Sequence, residues 1–441
     1  MLTRRQHALP MHPLAQQLRH QLDPLLAKTN PPRLCLALSG GLDSRVLLAL
    51  LLEAYPASES RPQLRALHIH HGLSPHADHW ADFCVDLCRQ AGLPCEVVKV
   101  DPATEDGASL EARARTARYR VFTAQLQQDE YLLQAHHRQD QAETLLLRLL
   151  RGAGTQGLRA IPQQRPLGAG QLLRPLLHSP RSQLKDYAQQ TGLDWVEDES
   201  NQQDHFDRNF IRLHVLPLLN QRFAHAEANL ALSAQLAAHS HSLQDDLAAL
   251  DLAQTCPAPH QPAQGRFSLS TLMQLRPIRR INLLRYWLTQ QGHPHPSHHQ
   301  WAQLDQLLHA RQDAQPLVSW GQIQARRFGD QLFIQPAAHF APLPADWQLQ
   351  WHNGTPLVTP CGTWTLTLSH LQGKTPTHFD LRARQGGESL RLAQRGRRDL
   401  KRLLQESGLP PWQRQQLPLI WHQDELIAVG DLLVAEGWER R

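Results

Sequence analysis

Long apolar runs are absent from this chain of 441 residues; no stretch reaches the ~20 residues needed to cross a bilayer, which excludes a helical membrane protein. Residues 1–27 carry basic side chains but no apolar core of signal-peptide type, so they read as an amphipathic leading helix. Cysteine is scarce as well. The six present (Cys35, Cys84, Cys88, Cys95, Cys256, Cys361) form neither a regular framework nor a Cys-x-x-Cys pair, a pattern that suits reduced thiols in a cytoplasm. Charge is modest, with a formal net of +5 and a pI near 9.0. Arginine supplies most of the positive charge, and its planar fork suits phosphate, so a nucleic-acid partner is compatible with the composition. The 27 histidines have no explanation at this level.

The chain is organised around Leu34-Cys35-Leu36-Ala37-Leu38-Ser39-Gly40-Gly41-Leu42-Asp43-Ser44, where a short apolar run meets Ser-Gly-Gly and passes into a helical-length apolar segment. Strand, tight turn and helix in that order make a phosphate cradle. Glycines let the backbone approach an anion, and the unpaired N–H groups of the helix start point at it. The loop lacks the lysine of a Walker loop and the Gly-x-Gly spacing of a dinucleotide fold, which excludes both. The Ser-Gly-Gly-x-Asp-Ser string instead resembles the PP-loop of ATP pyrophosphatases, and that resemblance implies that Ser39, Gly40, Gly41, Leu42, Asp43 and Ser44 bind ATP; Ser39 and Ser44 add hydroxyl donors, and Asp43 adds a carboxylate expected to hold a magnesium ion bridging phosphates. A serine-capped helix after a glycine turn is the plainer reading of the same letters.

From residue 30 to 160, apolar strands alternate with helical segments, which predicts an α/β domain with a doubly wound parallel sheet and ligands at the carboxyl ends of its strands. After the second strand comes His68-Ile69-His70-His71-Gly72-Leu73, and after the fourth His136-His137-Arg138-Gln139-Asp140-Gln141-Ala142-Glu143. Asp140 and Glu143 share a helix face with His136 one turn before them, so Asp140 is expected to hold magnesium together with Asp43. Glu111, with Arg115 and Arg118, lies on a helix that reads equally as an ion-paired surface. Arg208 and Arg212 stand one turn apart and suit phosphate contacts, or a solvated face.

Residues 226–252 read as one long helix broken by the proline-rich 256–262. A helical module follows, with helices expected at 272–291 and 300–309. The expected domains are 1–222 (catalytic), 223–340 (helical, substrate-binding) and 341–441 (a small α+β C-terminal domain). In the last, Arg391, Arg395, Arg397, Arg398, Lys401 and Arg402 are read as a basic helix beside Trp412, a footprint for gripping an RNA backbone and stacking a base.

Together these strings resemble the tRNA(Ile)-lysidine synthetase family of PP-loop ATP pyrophosphatases. The resemblance rests on Ser39-Gly40-Gly41-Leu42-Asp43-Ser44, His71-Gly72-Leu73, Glu111 with Arg115, His136 with Asp140 and Glu143, Arg208-Asn209 with Ile211-Arg212, and Leu403-Leu404-Gln405-Glu406 through Trp412. It implies a cytoplasmic ligase that uses ATP and Mg2+ to adenylate O2 of the wobble cytidine in tRNA(Ile) with a CAU anticodon. L-lysine then displaces AMP at C2, with no stable protein partner. It further implies that Arg115, Asp140, Glu143, Arg212, His136 and Glu111 serve catalysis, and that Arg208, Asn209, Arg395, Arg397, Arg398, Lys401 and Arg402 bind tRNA. Glu111, Glu143 and His136 are the candidates to deprotonate lysine. Position 139 is Gln where the family commonly has Asp, which leaves Asp140 the sole carboxylate of its turn. The alternatives are a PP-loop enzyme that thiolates tRNA and a non-catalytic tRNA-binding protein.

Overall fold

The computed structural model describes residues 10–57, 62–105, 110–255, 265–311 and 314–441, with the side chain of Glu111 outside the description. The expected proline break at 256–262 and the first residues of the leading helix also lie outside it. The chain divides into two compact units, 1–243 and 244–441.

The first unit begins with α1 (Pro13–Leu26), whose Leu14, Leu18 and Leu22 recur at helical spacing and are all buried. Burying each contributes roughly 1.5–3 kcal/mol, which fastens this helix to the sheet. Then come β1 (Arg33–Ala37), α2 (Leu42–Ala54), β2 (Leu64–His70), α3 (Ala77–Gln90), β3 (Cys95–Lys99), α4 (Leu110–Gln125), β4 (Glu130–Leu133) and α5 (Arg138–Leu150). Short α6 (Thr155–Leu158), the hairpin β5 (Gln164–Leu167) and β6 (Gly170–Leu173), α7 (Arg181–Gln190), α8 (Asp207–Phe210) and α9 (Leu216–Arg222) follow. The sheet runs β3-β2-β1-β4-β6-β5, parallel except for the antiparallel edge strand β5. Cys35 pairs with Arg65 on one side and Leu132 on the other. Strand order reverses between β1 and β4, so a crevice opens beyond their carboxyl ends. The loops after those two strands carry Ser39–Ser44 and His136–Asp140.

Helix α10 (Ala226–Thr255) leads into the second unit. There β7 (Arg266–Ser268), α11 (Leu269–Leu272), α12 (Pro277–Gln290), α13 (His298–His309), β8 (Leu317–Trp320), β9 (Ile323–Phe328) and β10 (Gln331–Pro336) build helices against a four-stranded antiparallel sheet of order β7-β10-β9-β8. The stretch expected to be helical thus also carries a four-stranded sheet. Its C-terminal part contains β11 (Gln348–His352), β12 (Leu357–Thr359), β13 (Gly362–Trp364), β14 (Leu368–His370), β15 (His378–Arg382), β16 (Ser389–Leu392), β17 (Gly396–Asp399), α14 (Leu400–Glu406), α15 (Pro411–Arg414), β18 (Leu419–His422), β19 (Glu425–Val429), β20 (Leu433–Val434) and β21 (Trp438–Arg440). Its main sheet runs β11-β15-β18-β19-β20.

The basic cluster is not one helix, because Arg397 and Arg398 lie on the hairpin β16–β17 and only Lys401 and Arg402 lie on α14. Asp399 ends the strand and caps the helix, its Oδ1 accepting from the Arg402 backbone N–H at 3.0 Å. Trp412 does not offer a stacking face either. It is 5% exposed, edge-on to Phe333 and Phe340 at 5.2 and 5.4 Å and packed beside Phe328. Those rings make an apolar knot between the four-stranded sheet and the C-terminal part of the same unit.

Candidate active site

The Ser-Gly-Gly turn is shaped by backbone conformation. Gly40 adopts φ +82°, a region costly to any residue with a Cβ, and a methyl there would meet Val196 Cγ2 at 3.0 Å and Cys84 Sγ at 3.2 Å. The Gly40 carbonyl accepts from the Val196 N–H at 3.0 Å, which closes the turn against the loop after α7. Ser44 Oγ accepts from the Ser39 N–H at 3.2 Å and donates to the Gly41 carbonyl at 3.1 Å. Gly41 is the N-cap of α2 and supplies no side-chain cap. The first N–H groups of that helix are thus left for an anion, reinforced by the positive end of the helix dipole.

Ser39, Gly41–Ser44 and Val196 line a cavity of about 690 Å³ that also takes in His68–His71, Trp80, Arg118, His137, Asp140, Arg181, Lys185, Trp195 and Arg212. His68 is buried, its Nδ1 2.9 Å from the Leu38 carbonyl, and burial holds its pKa below the ordinary value. The floor of the cavity is electrostatically organised by α5 and α8.

Asp140 is 8% exposed and both its oxygens are engaged: Oδ2 accepts from the His137 N–H at 2.9 Å, and Oδ1 from Arg208 Nη2 at 2.7 Å. Burial works to raise its pKa, but the charges of His137 and Arg208 prevail and hold it well below the usual carboxylate range. Glu143 is fully buried and saturated. It accepts from Arg208 Nε at 2.7 Å, Arg212 Nε and Nη2 at 2.7 and 3.0 Å, and Gln139 Nε2 at 3.0 Å. Position 139 therefore has a local purpose: its amide supports the carboxylate of the next turn.

His137, rather than the expected His136, is the histidine that faces the loop. Its Nε2 stands 3.5 Å from both Asp43 Oδ2 and Asp140 Oδ2. Burial opposes its charge, but the two carboxylates outweigh burial and raise its pKa. His136 instead turns to Arg174, whose Nε donates to its Nδ1 at 3.1 Å. A guanidinium has no acceptor, so the ring proton must reside on Nε2. Burial pushes the His136 pKa down to about 3. The ring is neutral at physiological pH and does not take up a proton there. Arg174 itself is 2% exposed and donates also to the Pro162 carbonyl, Gln134 and Tyr119. The sequence signal for it is an arginine between Leu173 and Pro175, just past an apolar strand.

The remaining expected residues separate. Arg115 is exposed and stacks on Tyr119, its Cζ 5.0 Å from the ring centroid. Arg208 and Asn209, expected to reach tRNA, are used inside the domain. Arg208 holds Asp140 and Glu143, while the Asn209 amide donates to the Ser200 and Gln203 carbonyls at 2.8 and 2.9 Å. The two thus position the carboxylates and the 200–203 loop. In the second unit Arg395, Arg397, Arg398, Lys401 and Arg402 are all exposed. Glu406 pairs with Arg395 at 2.9 Å and Arg402 at 3.7 Å, whereas Arg397, Arg398 and Lys401 have no carboxylate partner among the described residues.

A magnesium ion fits this site at Asp43 better than at Asp140. Asp43 Oδ1 is buried without a hydrogen bond, its nearest cation being Arg181 Nε at 3.7 Å, while both Asp140 oxygens are spoken for. Among the described residues no three His, Cys, Asp or Glu side chains converge into a protein-only cage. Magnesium commonly needs only one or two carboxylates when substrate phosphates and water complete its shell.

Sequence comparison is decisive for the family. Residues 14–219 match a model described as a PP-loop domain, 267–333 one for a TilS substrate binding domain, and 379–441 one for a TilS substrate C-terminal domain. The tRNA(Ile)-lysidine synthase of Xanthomonas axonopodis pv. citri is 41% identical over 93% of this chain and 92% of its own length. The chain belongs to the tRNA(Ile)-lysidine synthase family. Proteins of the same name from Pseudomonas aeruginosa and Pectobacterium atrosepticum are 44% and 40% identical over 90% and 92% of this chain, and over 89% and 91% of their own lengths. Like them, this chain is an ATP-using ligase, and its Ser-Gly-Gly turn lies within the PP-loop region of the family. Among the described residues no helix is long and apolar enough to cross a membrane.

Proposed function

We propose that this protein joins L-lysine to C2 of the wobble cytidine of tRNA(Ile) bearing a CAU anticodon, in the cytoplasm, by way of an adenylated cytidine. The observation that carries the proposal is the agreement between a lysine-free phosphate turn at the mouth of a 690 Å³ cavity and likeness to lysidine synthases over more than 90% of the chain. In the first step, cytidine O2 forms a bond to the α-phosphorus of ATP and the bond to the β-phosphate oxygen breaks, releasing pyrophosphate. In the second, the lysine ε-nitrogen attacks C2 and AMP departs with the O2 oxygen.

The loop N–H groups of α2 bind phosphate oxygens, and Asp43 holds magnesium, which neutralises phosphate charge when bound. Arg212, which lines the cavity and is fixed by Glu143, supplies positive charge to the reacting phosphate. His136 contributes a fixed Nε2–H donor rather than a base. Glu143 is likewise no base, since every direction around its carboxylate is filled by donors; of the three candidates only Glu111 lies outside the described side chains. Arg397, Arg398 and Lys401, with Arg395 and Arg402, contact the tRNA backbone.

The test is mass spectrometry of the anticodon loop after incubation with ATP, magnesium and labelled lysine. Incorporation of one lysine at cytidine, dependent on Asp43, is expected. Incorporation of sulfur from a donor instead would establish the thiolation alternative, and tRNA binding without any turnover would establish a binding protein.

A further inference from the structure

The Ser39–Ser44 turn contains no lysine or arginine, and Arg45 just after it does not line the cavity, yet a triphosphate carries about four negative charges that helix dipoles alone offset poorly. Cations must come from other elements, and besides Arg118 of α4 and Arg212, helix α7 is placed to supply two. Its Leu184, Tyr187 and Ala188 sit in the same core as Val46, Leu47, Leu50 and Leu51 of α2, so the two helices lie side by side. Their direction follows from two contacts. Tyr187, late in α7, donates to Glu53, late in α2, at 2.8 Å; Arg181, first in α7, stands 3.7 Å from Asp43, early in α2. The helices are parallel, and both N-termini open on one cavity.

Arg181 and Lys185 are one turn apart on α7, flank the buried Leu184, and both line that cavity. Lys185 has no carboxylate within ion-pair distance among the described residues, and Arg181 has Asp43 alone, beyond hydrogen-bond reach. Both side chains are exposed, neither is spent on a structural ion pair at hydrogen-bond distance, and both border the anion cradle, so they are free to close on an anion bound there. Arg212, by contrast, is committed to Glu143.

We propose that Arg181 and Lys185 form a clamp for the β- and γ-phosphates of ATP, and hence for the departing pyrophosphate, supplying from α7 the charge that the Ser-Gly-Gly turn lacks. This rests on the reading of the cavity as the ATP site. The clamp touches the leaving group and not the nucleoside, so its removal weakens ligands in proportion to the phosphates they carry beyond the first.

The experiment titrates the full-length protein, and the R181M and K185M variants, with ATP, AMP and inorganic pyrophosphate, following the fluorescence of the cavity residues Trp80 and Trp195. Each variant is expected to lose roughly 10- to 100-fold in affinity for ATP and for pyrophosphate, the scale of one charge-assisted contact, with AMP affinity unchanged. R181K should recover most of the ATP affinity, which separates lost charge from lost packing. Equal weakening of ATP and AMP, or unchanged ATP binding in both variants, overturns the clamp. If the unmodified protein itself binds ATP no more tightly than AMP, the ATP reading of the cavity fails, and the clamp with it.

Discussion

Replacing Glu143 with glutamine probes the buried charge network most sharply. The carboxylate is fully buried and accepts three hydrogen bonds from two guanidiniums at 2.7–3.0 Å, so the amide would present one N–H₂ group to donors it cannot satisfy. Removing one partner of a buried ion pair costs ~3–5 kcal/mol. The Arg208 and Arg212 side chains keep 24% and 22% exposure, and Asp140 still holds Arg208, so solvent and that second carboxylate place the loss near the low end, ~3 kcal/mol. For a folding unit of this size that is a fall in Tm of about 6–12 °C. Calorimetry measures it, and the lysine-dependent step on pre-adenylated tRNA is assayed alongside. Loss of thermal stability together with slower adenylation is expected, because Arg212 loses its anchor. An unchanged Tm with selective loss of the lysine step would refute the reasoning and restore Glu143 as a base.

Gly40→Ala should lower the Tm by several degrees and abolish ATP turnover, since φ +82° and the Val196 contact at 3.0 Å both resist a methyl group. Gly41→Ala, whose Cβ meets nothing closer than 3.6 Å, should change stability by less than about 0.5 kcal/mol while still impairing ATP binding. His136→Asn tests the pinned tautomer through pH. The folded protein resists protonating His136 until about pH 3 whereas the unfolded chain takes the proton near 6.5, so stability is full above 6.5 and falls as pH drops from there towards 3. Asparagine can keep the Arg174 hydrogen bond but cannot titrate, so urea denaturation of the variant at pH 4.5–6.5 should show a shallower decline; an identical pH profile would count against the assignment. Neutralising Arg397, Arg398 and Lys401 one at a time should raise the KM for tRNA, leave ATP binding intact, and lower the slope of log affinity against log salt by about one unit each.

The first unit was legible because its strands are short apolar runs separated by amphipathic helices, and the switch point follows from strand order alone. The loop after β1 and the turn after β4 were found by position as much as by motif. The hairpin β5–β6 was lost because Gln164–Leu167 carries Arg165 and Pro166 and has little apolar character. The sheet β7–β10 was lost for a similar reason, since Arg326 and Arg327 interrupt the alternation in β9. Site chemistry was harder to read wherever partners are distant. Glu143 resembles an ordinary acidic residue in a first helical turn until Arg208 and Arg212, 65 and 69 positions later, close on it. The histidine doublet was ambiguous because one residue of register decides which ring meets Asp43 and which meets Arg174. Trp412 looked like a platform for a base only because burial by Phe328, Phe333 and Phe340 leaves no trace in local sequence.

The central claim is that the turn Ser39–Ser44 holds ATP so that its α-phosphorus is attacked. Following ATP labelled at the α-phosphorus in the presence of tRNA(Ile) and lysine measures this directly. Stoichiometric AMP and pyrophosphate are the products expected; ADP and orthophosphate would contradict the account.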